Sequence, residues 1–242
     1  MTFRIWPATA GLVLVLTAGC STAGEPTAAM STPSRTPDVE RIALEVQPLF
    51  DTDGPTVNVG PFSRALEDAD AESIMGTVRE MRRAEQTLTA AAMYVAAVRL
   101  YNLGFRDQAV EWFYAAQYRA RLFQTLLDPR AVGSIGSPAF EARAAHDAFF
   151  QLVGPTINGY GGCSRDALLG AIRAVSARNA SVADLEGVYP AVAFVPRADW
   201  DEANRQVRAG LDGLAVSFDE GWDQFQADRE ANGVNERFCA DG

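Results

Sequence analysis

Three cysteines and a single histidine are the residues of this chain whose side chains could best do chemistry, and their positions restrict what it can be. Any Ser-His-Asp or Cys-His arrangement must run through His146, and a zinc site would have to combine it with carboxylates. No G-x-S-x-G stretch supplies a nucleophile. All 21 basic residues are arginine, so Schiff-base chemistry and the phosphate-binding lysine of a P-loop are excluded. Asp51, Asp53 and Gly54 sketch the start of a calcium loop, but the remaining oxygen ligands and the glutamate at its twelfth position are missing. Gly159, Gly161 and Gly162 precede a helix, as in an anion-binding turn, yet the segment before them reads as helix rather than strand. A helix–helix turn capped by Ser164 is the expectation. No catalytic residue, metal or cofactor follows from these patterns.

The 242 residues carry a formal charge of −10, which argues against a nucleic-acid or anionic-membrane surface. Residues 21–37 are rich in Ser, Thr, Ala and Pro without apolar periodicity. Such a stretch buries too little to offset its ordering entropy and reads as a tether. Residues 38–242 are long enough for one helical domain with a sizeable core.

The elements that must position these residues read almost throughout as helices. Thr36-Pro37 followed by acidic residues starts one that ends near Pro48. A second runs from Phe62 to about Arg83, with Ile74, Val78 and Met81 on one face and Asp70 or Ser73 as cap. From Thr87 to Leu122 the pattern is a helical hairpin turning at Asn102-Leu103-Gly104. Its second helix carries Ala109, Trp112, Phe113, Ala116, Ala120 and Phe123 at the helical period, and its first supplies Ala92, Ala96 and Ala97 for close approach. A helix from Pro138 to about Leu152 buries Ala145, Ala148, Phe149 and Leu152, leaving His146 off that stripe. Another, Arg165 to Ala177, buries Leu168, Ile172 and Val175. Tyr189-Pro190 to Val195-Pro196 forms a loop with a short extended piece at 191–194. Asp199 and Glu202 then make a variant capping box. The last long helix docks by Val207, Leu211, Leu214, Phe218, Trp222 and Phe225, with a bend near Gly221. The fold class is all-α: antiparallel helical hairpins packed into one globular or solenoid-like domain.

On the other face of the hairpin's second helix, Tyr114, Gln117, Tyr118 and Arg121 recur at i, i+3, i+4 and i+7. Tyrosine and arginine are frequent anchors of protein interfaces, which makes these four the partner-binding candidates.

Ala8 to Leu16 is an apolar run too short to span a bilayer, and it leads into Leu16-Thr17-Ala18-Gly19-Cys20. This segment resembles a bacterial lipoprotein signal with its lipobox, although Thr17 stands where leucine is usual. The resemblance implies that residues 1–19 are removed, that Cys20 is lipidated, and that the protein is anchored in the cell envelope. In a Gram-negative cell, Ser21 is compatible with the outer membrane, facing the periplasm. Cys163 and Cys239 would then be the thiols left in an oxidising compartment, where they are expected to pair. At the hairpin, Asp107-Gln108-Ala109-Val110-Glu111-Trp112-Phe113, with Ala97, Gly104 and Ala116, is similar to a Sel1 or tetratricopeptide unit. That resemblance covers about 35 residues in the helical-repeat sense and shows no second copy at the expected spacing. Together these features lead to the expectation of a lipid-anchored helical scaffold that binds an envelope protein. The alternatives are an envelope immunity protein against an exported toxin and a hydrolase-like enzyme using His146.

Overall fold

In the computed structural model, the described residues are Ile42, 59–67 and 70–239, which belong to one compact unit. The signal segment, Cys20, the tether, the helix expected after Pro37 and the Asp51–Gly54 loop lie outside the described residues, apart from Ile42. Ten α-helices are present among the described residues. They are α1 (Ser63–Leu66), α2 (Ala71–Arg83), α3 (Ala90–Asn102), α4 (Arg106–Leu126), α5 (Pro138–Gly161), α6 (Arg165–Arg178), α7 (Leu185–Val188), α8 (Trp200–Glu220), α9 (Trp222–Ala231) and α10 (Val234–Phe238). The described residues form no strand beyond an isolated antiparallel bridge between Leu127 and Phe194.

The hairpin forms as its sequence dictates. Thr89 accepts a hydrogen bond from the Ala92 amide and caps α3. At the other end Gly104 takes φ +88°, while the Phe105 amide reaches back to the Leu100 carbonyl at 2.9 Å. This left-handed closing turn is one that only a residue without Cβ adopts at little cost. Ala92, Ala96 and Ala97 of α3 are completely buried, so the two backbones meet closely.

Helix α4 packs against α3, α5, α6 and α8. Residues 112–116 are all buried, and at 100° per residue five consecutive positions point in every direction around the axis. The arrangement is therefore a central helix within a sheath of helices, rather than a stacked array of hairpins.

Several local expectations hold, and others are corrected. Asp70 caps α2 through the Ser73 amide at 2.7 Å, splitting the expected helix from Phe62 into α1 and α2. Ser164 caps α6 through the Ala167 amide. The long C-terminal helix breaks at Gly221, but within it Leu214 is 37% exposed and Ala215 takes its place in the core. Asp199 makes no capping bond, because Glu202 is drawn instead to Arg205 and Gln206. The extended piece at 191–194 contributes the Ala193 carbonyl to the Asp128 amide at 3.1 Å, beside the Leu126 carbonyl that accepts from Val195.

The largest correction concerns α5, which continues past Leu152 and through Pro155 to Gly161. An interior proline costs about 3 kcal/mol. Val153 and Ile157 on either side of it are fully buried, each worth roughly 1.5–3 kcal/mol, so packing outweighs the break. The buried stripe runs through Ala139, Phe149, Val153 and Ile157. Ala145, Ala148 and Leu152 face outward, and half-buried His146 lies on the inner line.

One charged side chain lies wholly inside this core. Arg119 of α4, 0% exposed, donates from Nη1 to the carbonyls of Gln86 and Leu88 and from Nη2 to that of Glu85, fixing the turn between α2 and α3. Beside it the Glu85 carboxylate accepts from Arg82 and Arg178, and Glu111 accepts from the same two arginines at 2.9 and 2.7 Å. This closed ring of alternating charge ties α2, α4 and α6 in register, with Arg82 lying 4.1 Å above the Trp112 ring. Replacing Arg119 by Met keeps the apolar stem and removes the donors. Three carbonyls then lose their partner at about 1 kcal/mol or more each, so urea unfolding is expected to show a loss of about 3 kcal/mol. A loss under about 1 kcal/mol would mean that Arg119 does not hold the turn.

Candidate functional site

The four residues proposed from helical spacing to form a binding face are divided by the fold. Tyr114 is 4% and Tyr118 3% exposed. The Tyr114 hydroxyl donates to Asn158 Oδ1 on α5 at 3.3 Å. That of Tyr118 donates to Asn204 Oδ1 on α8, whose amide in turn donates to the Asn179 carbonyl at 3.1 Å. Burial pushes both phenols up, Tyr118 to about 12 even though Arg119 and Arg208 pull the other way. These two side chains are core, so they cannot serve as surface anchors. Gln117 is half-buried and Arg121 exposed, and they remain at the surface.

Gln117 and Arg121 continue the i, i+4 ridge that starts at Phe113, and this ridge borders α5. Phe150, 44% exposed, stacks on Phe113 with ring centroids 6.4 Å apart. Gly154, one turn further along α5, also faces the Phe113 ring; a Cβ there would lie 3.6 Å from it. Asp147 is exposed three residues before Phe150. Gln117 and Arg121 on α4 and Asp147 and Phe150 on α5 thus flank the α4–α5 seam, with Arg121 and Asp147 both close enough to His146 to shift its pKa. The combination suits recognition of a protein surface.

His146 lies at the inner edge of this seam. Its Nδ1 is 3.1 Å from the Tyr94 hydroxyl, and Tyr94 stacks on both His146 and Phe149. Tyr94 is fully buried, and burial, with Asp147 nearby, raises its pKa. The phenol therefore stays protonated and shares a hydrogen bond with Nδ1 whose direction is set by the imidazole tautomer. Burial lowers the His146 pKa below 6.5, Asp147 opposes that shift and Arg121 adds to it. The group beside Nδ1 is a phenol rather than the carboxylate of a catalytic triad, and His146 sits half-buried at the edge of the core. Among the described residues no cluster of three or more His, Cys, Asp and Glu side chains could hold a metal ion.

The glycine cluster serves packing. A Cβ on Gly159 would lie 2.6 Å from the Phe238 ring, and one on Gly162 would lie 2.4 Å from the Arg229 guanidinium. These glycines sit at the end of α5, where Phe238 of α10 and Arg229 of α9 approach, and that close approach of side chains accounts for them. Cys163 and Cys239 lie at disulfide geometry, with Cα atoms 5.4 Å apart and 76 positions between them in sequence. Closing a loop of that size is worth about 4.5 kcal/mol in the chain-entropy model.

The His146 geometry fixes a pH dependence. Because the folded state holds the imidazole below its ordinary value of 6.5, neutral His146 contributes stability above pH 6.5. The unfolded chain takes up the proton first as pH falls, so that contribution declines from about pH 6.5 downward. Urea unfolding of wild type and His146→Gln between pH 7.5 and 5 is expected to show the wild-type advantage shrinking with acidification. Parallel curves would contradict the burial of a neutral imidazole.

No family model matches the chain, and no solved structure gives a significant match. A protein of Haemophilus influenzae is 28% identical over 159 residues, which cover 61% of this chain and 56% of the relative. That relative is described as an uncharacterized protein, and the chain spans little more than half of its length.

Proposed function

We propose that this protein is a lipid-anchored component of the cell envelope whose helical domain binds a protein partner along the α4–α5 seam, through Gln117, Arg121, Asp147 and Phe150. The observation that carries the binding role is Phe150, a large aromatic ring 44% exposed and fixed by its stack on Phe113. An aromatic ring held at the surface matches the residue types that dominate interface energetics. The seam is preorganised, since α4 itself and α5 packed on it carry every member. Little ordering entropy is therefore lost on binding.

The address rests on two supports. The Ala8–Cys20 segment resembles a lipoprotein signal, and the Cys163–Cys239 pairing belongs in an oxidising compartment. The formal charge of −10 favours a partner with a basic surface.

Expression of the full chain with a clickable fatty acid is expected to label wild type and leave Cys20→Ala unlabelled; equal labelling of both would remove the anchor. Cross-linking in intact cells followed by mass spectrometry identifies the partner. Phe150→Ser combined with Arg121→Ala is expected to weaken that complex by about 2 kcal/mol or more, with circular dichroism confirming the fold. An unchanged complex in the folded double variant would overturn the assignment of the seam.

A further inference from the structure

Arg229 is 6% exposed and lies over the two sulfurs that join the end of α10 to the α5–α6 turn. Its Nη2 is 3.3 Å from Cys239 Sγ and 3.6 Å from Cys163 Sγ. The same nitrogen donates to the Gly159 carbonyl at 2.7 Å, Nε donates to Asn235 Oδ1 at 2.8 Å, and the guanidinium stacks over Phe225. None of these partners carries a charge. Among the described residues no carboxylate forms an ion pair with Arg229, although the chain as a whole is acidic. A buried cation held by neutral groups is costly, and disulfide sulfurs are weak acceptors. The guanidinium packs directly over Gly162, where an added Cβ would lie 2.4 Å from it.

Reduction would change this balance. A thiolate on either cysteine supplies the missing negative charge, so the reduced state gains an ion pair that the oxidised state lacks. Stabilising the reduced form makes a disulfide more oxidising and lowers the pKa of its thiols. Cys163 is half-buried and borders a small pocket with Asp107, Val110, Tyr160, Ser164 and Leu168. It also directly precedes Ser164, the cap of α6, where the helix dipole favours a thiolate.

We propose that Cys163 and Cys239, with Arg229 as the positioning cation, form a thiol–disulfide exchange centre that oxidises low-molecular-weight thiols at the half-buried Cys163. The thiolate of a first thiol attacks Cys163 Sγ. A mixed disulfide forms while the Cys163–Cys239 bond breaks, and the electron pair leaves on Cys239 Sγ beside Arg229. A second thiolate attacks the small-molecule sulfur of the mixed disulfide and releases Cys163. Two thiols become one small-molecule disulfide, and the protein gains two electrons and the two protons that the thiols gave up. This reading is independent of the α4–α5 seam and of the lipid anchor.

The test uses the full chain in detergent with Cys20→Ala, so that only two sulfurs can react. It is equilibrated with reduced and oxidised glutathione, and the oxidised fraction is read by alkylation and mass spectrometry. Arg229→Met is expected to favour the disulfide at least tenfold over the parent chain, about 30 mV for a two-electron couple, with Arg229→Lys between them. In the reduced parent chain, the pH profile of alkylation is expected to show one thiol titrating well below the ordinary 8.5 and returning towards it in Arg229→Met. Should Arg229→Met fail to fold, the profile of the parent chain decides alone. Two thiols titrating at the ordinary value, or a folded Arg229→Met with an unchanged glutathione equilibrium, would overturn the proposal.

Discussion

Burial of α4 on every side is the constraint on which the rest of the structure depends. A helix with one solvent face can turn its polar side chains outward, but α4 has no such face between Ala109 and Ala120 apart from half-buried Glu111 and Gln117. Each polar group inside must therefore find its partner within the protein. Arg119 takes three main-chain carbonyls, while Tyr114 and Tyr118 take asparagines from α5 and α8. These pairings fix the rotation and register of the surrounding helices, because a shift of one residue on α4 would leave several buried donors without acceptors. Alanines fill the remaining positions, where neighbouring backbones approach most closely.

The surface features follow from that sheath. The Phe113–Gln117–Arg121 ridge emerges where α5 covers α4 incompletely, which is why an arginine, a glutamine and the Phe150 ring share one seam. The C-terminal helices α9 and α10 close the end of α5 through Phe238 against Gly159, Arg229 against Gly162, and the Cys163–Cys239 pairing. Gln226 adds a hydrogen bond to the Gly162 carbonyl at 2.7 Å. The sulfur pair thereby carries much of the attachment of a segment that otherwise has little buried apolar surface, since its one buried residue is Arg229.

Local chemistry was legible in the residues themselves. Gly104 as a left-handed stop, Asp70 and Ser164 as caps and the break at Gly221 each depend on few neighbours. What depended on tertiary context was not legible. Helical period identifies the stripe of Ala109, Trp112 and Phe113, but it cannot tell whether the opposite face meets water or a further helix. Tyr114 and Tyr118 were therefore read as surface when α5 and α8 cover them. Pro155 reads as a break because the sequence does not display the burial that outweighs it, and that misreading also moved the α5 stripe away from His146. Gly159, Gly161 and Gly162 beside Cys163 read as a helix–helix turn, and the sequence does not show Arg229, the group that approaches them, 66 residues further on from Cys163. A single arginine among 21 carries no mark of burial in the sequence.

The central position of α4 is tested most directly by amide hydrogen exchange of the folded protein. If four helices sheathe α4, its amides from Ala109 to Ala120 exchange only through global unfolding, at a common free energy equal to that measured by urea. Tyr114, Gln117 and Tyr118, on the face opposite the Ala109 stripe, should be as slow as 109–113. Faster, locally governed exchange at Tyr114 to Tyr118 would show that this face opens to solvent, and would contradict both the buried core and the binding seam drawn from it.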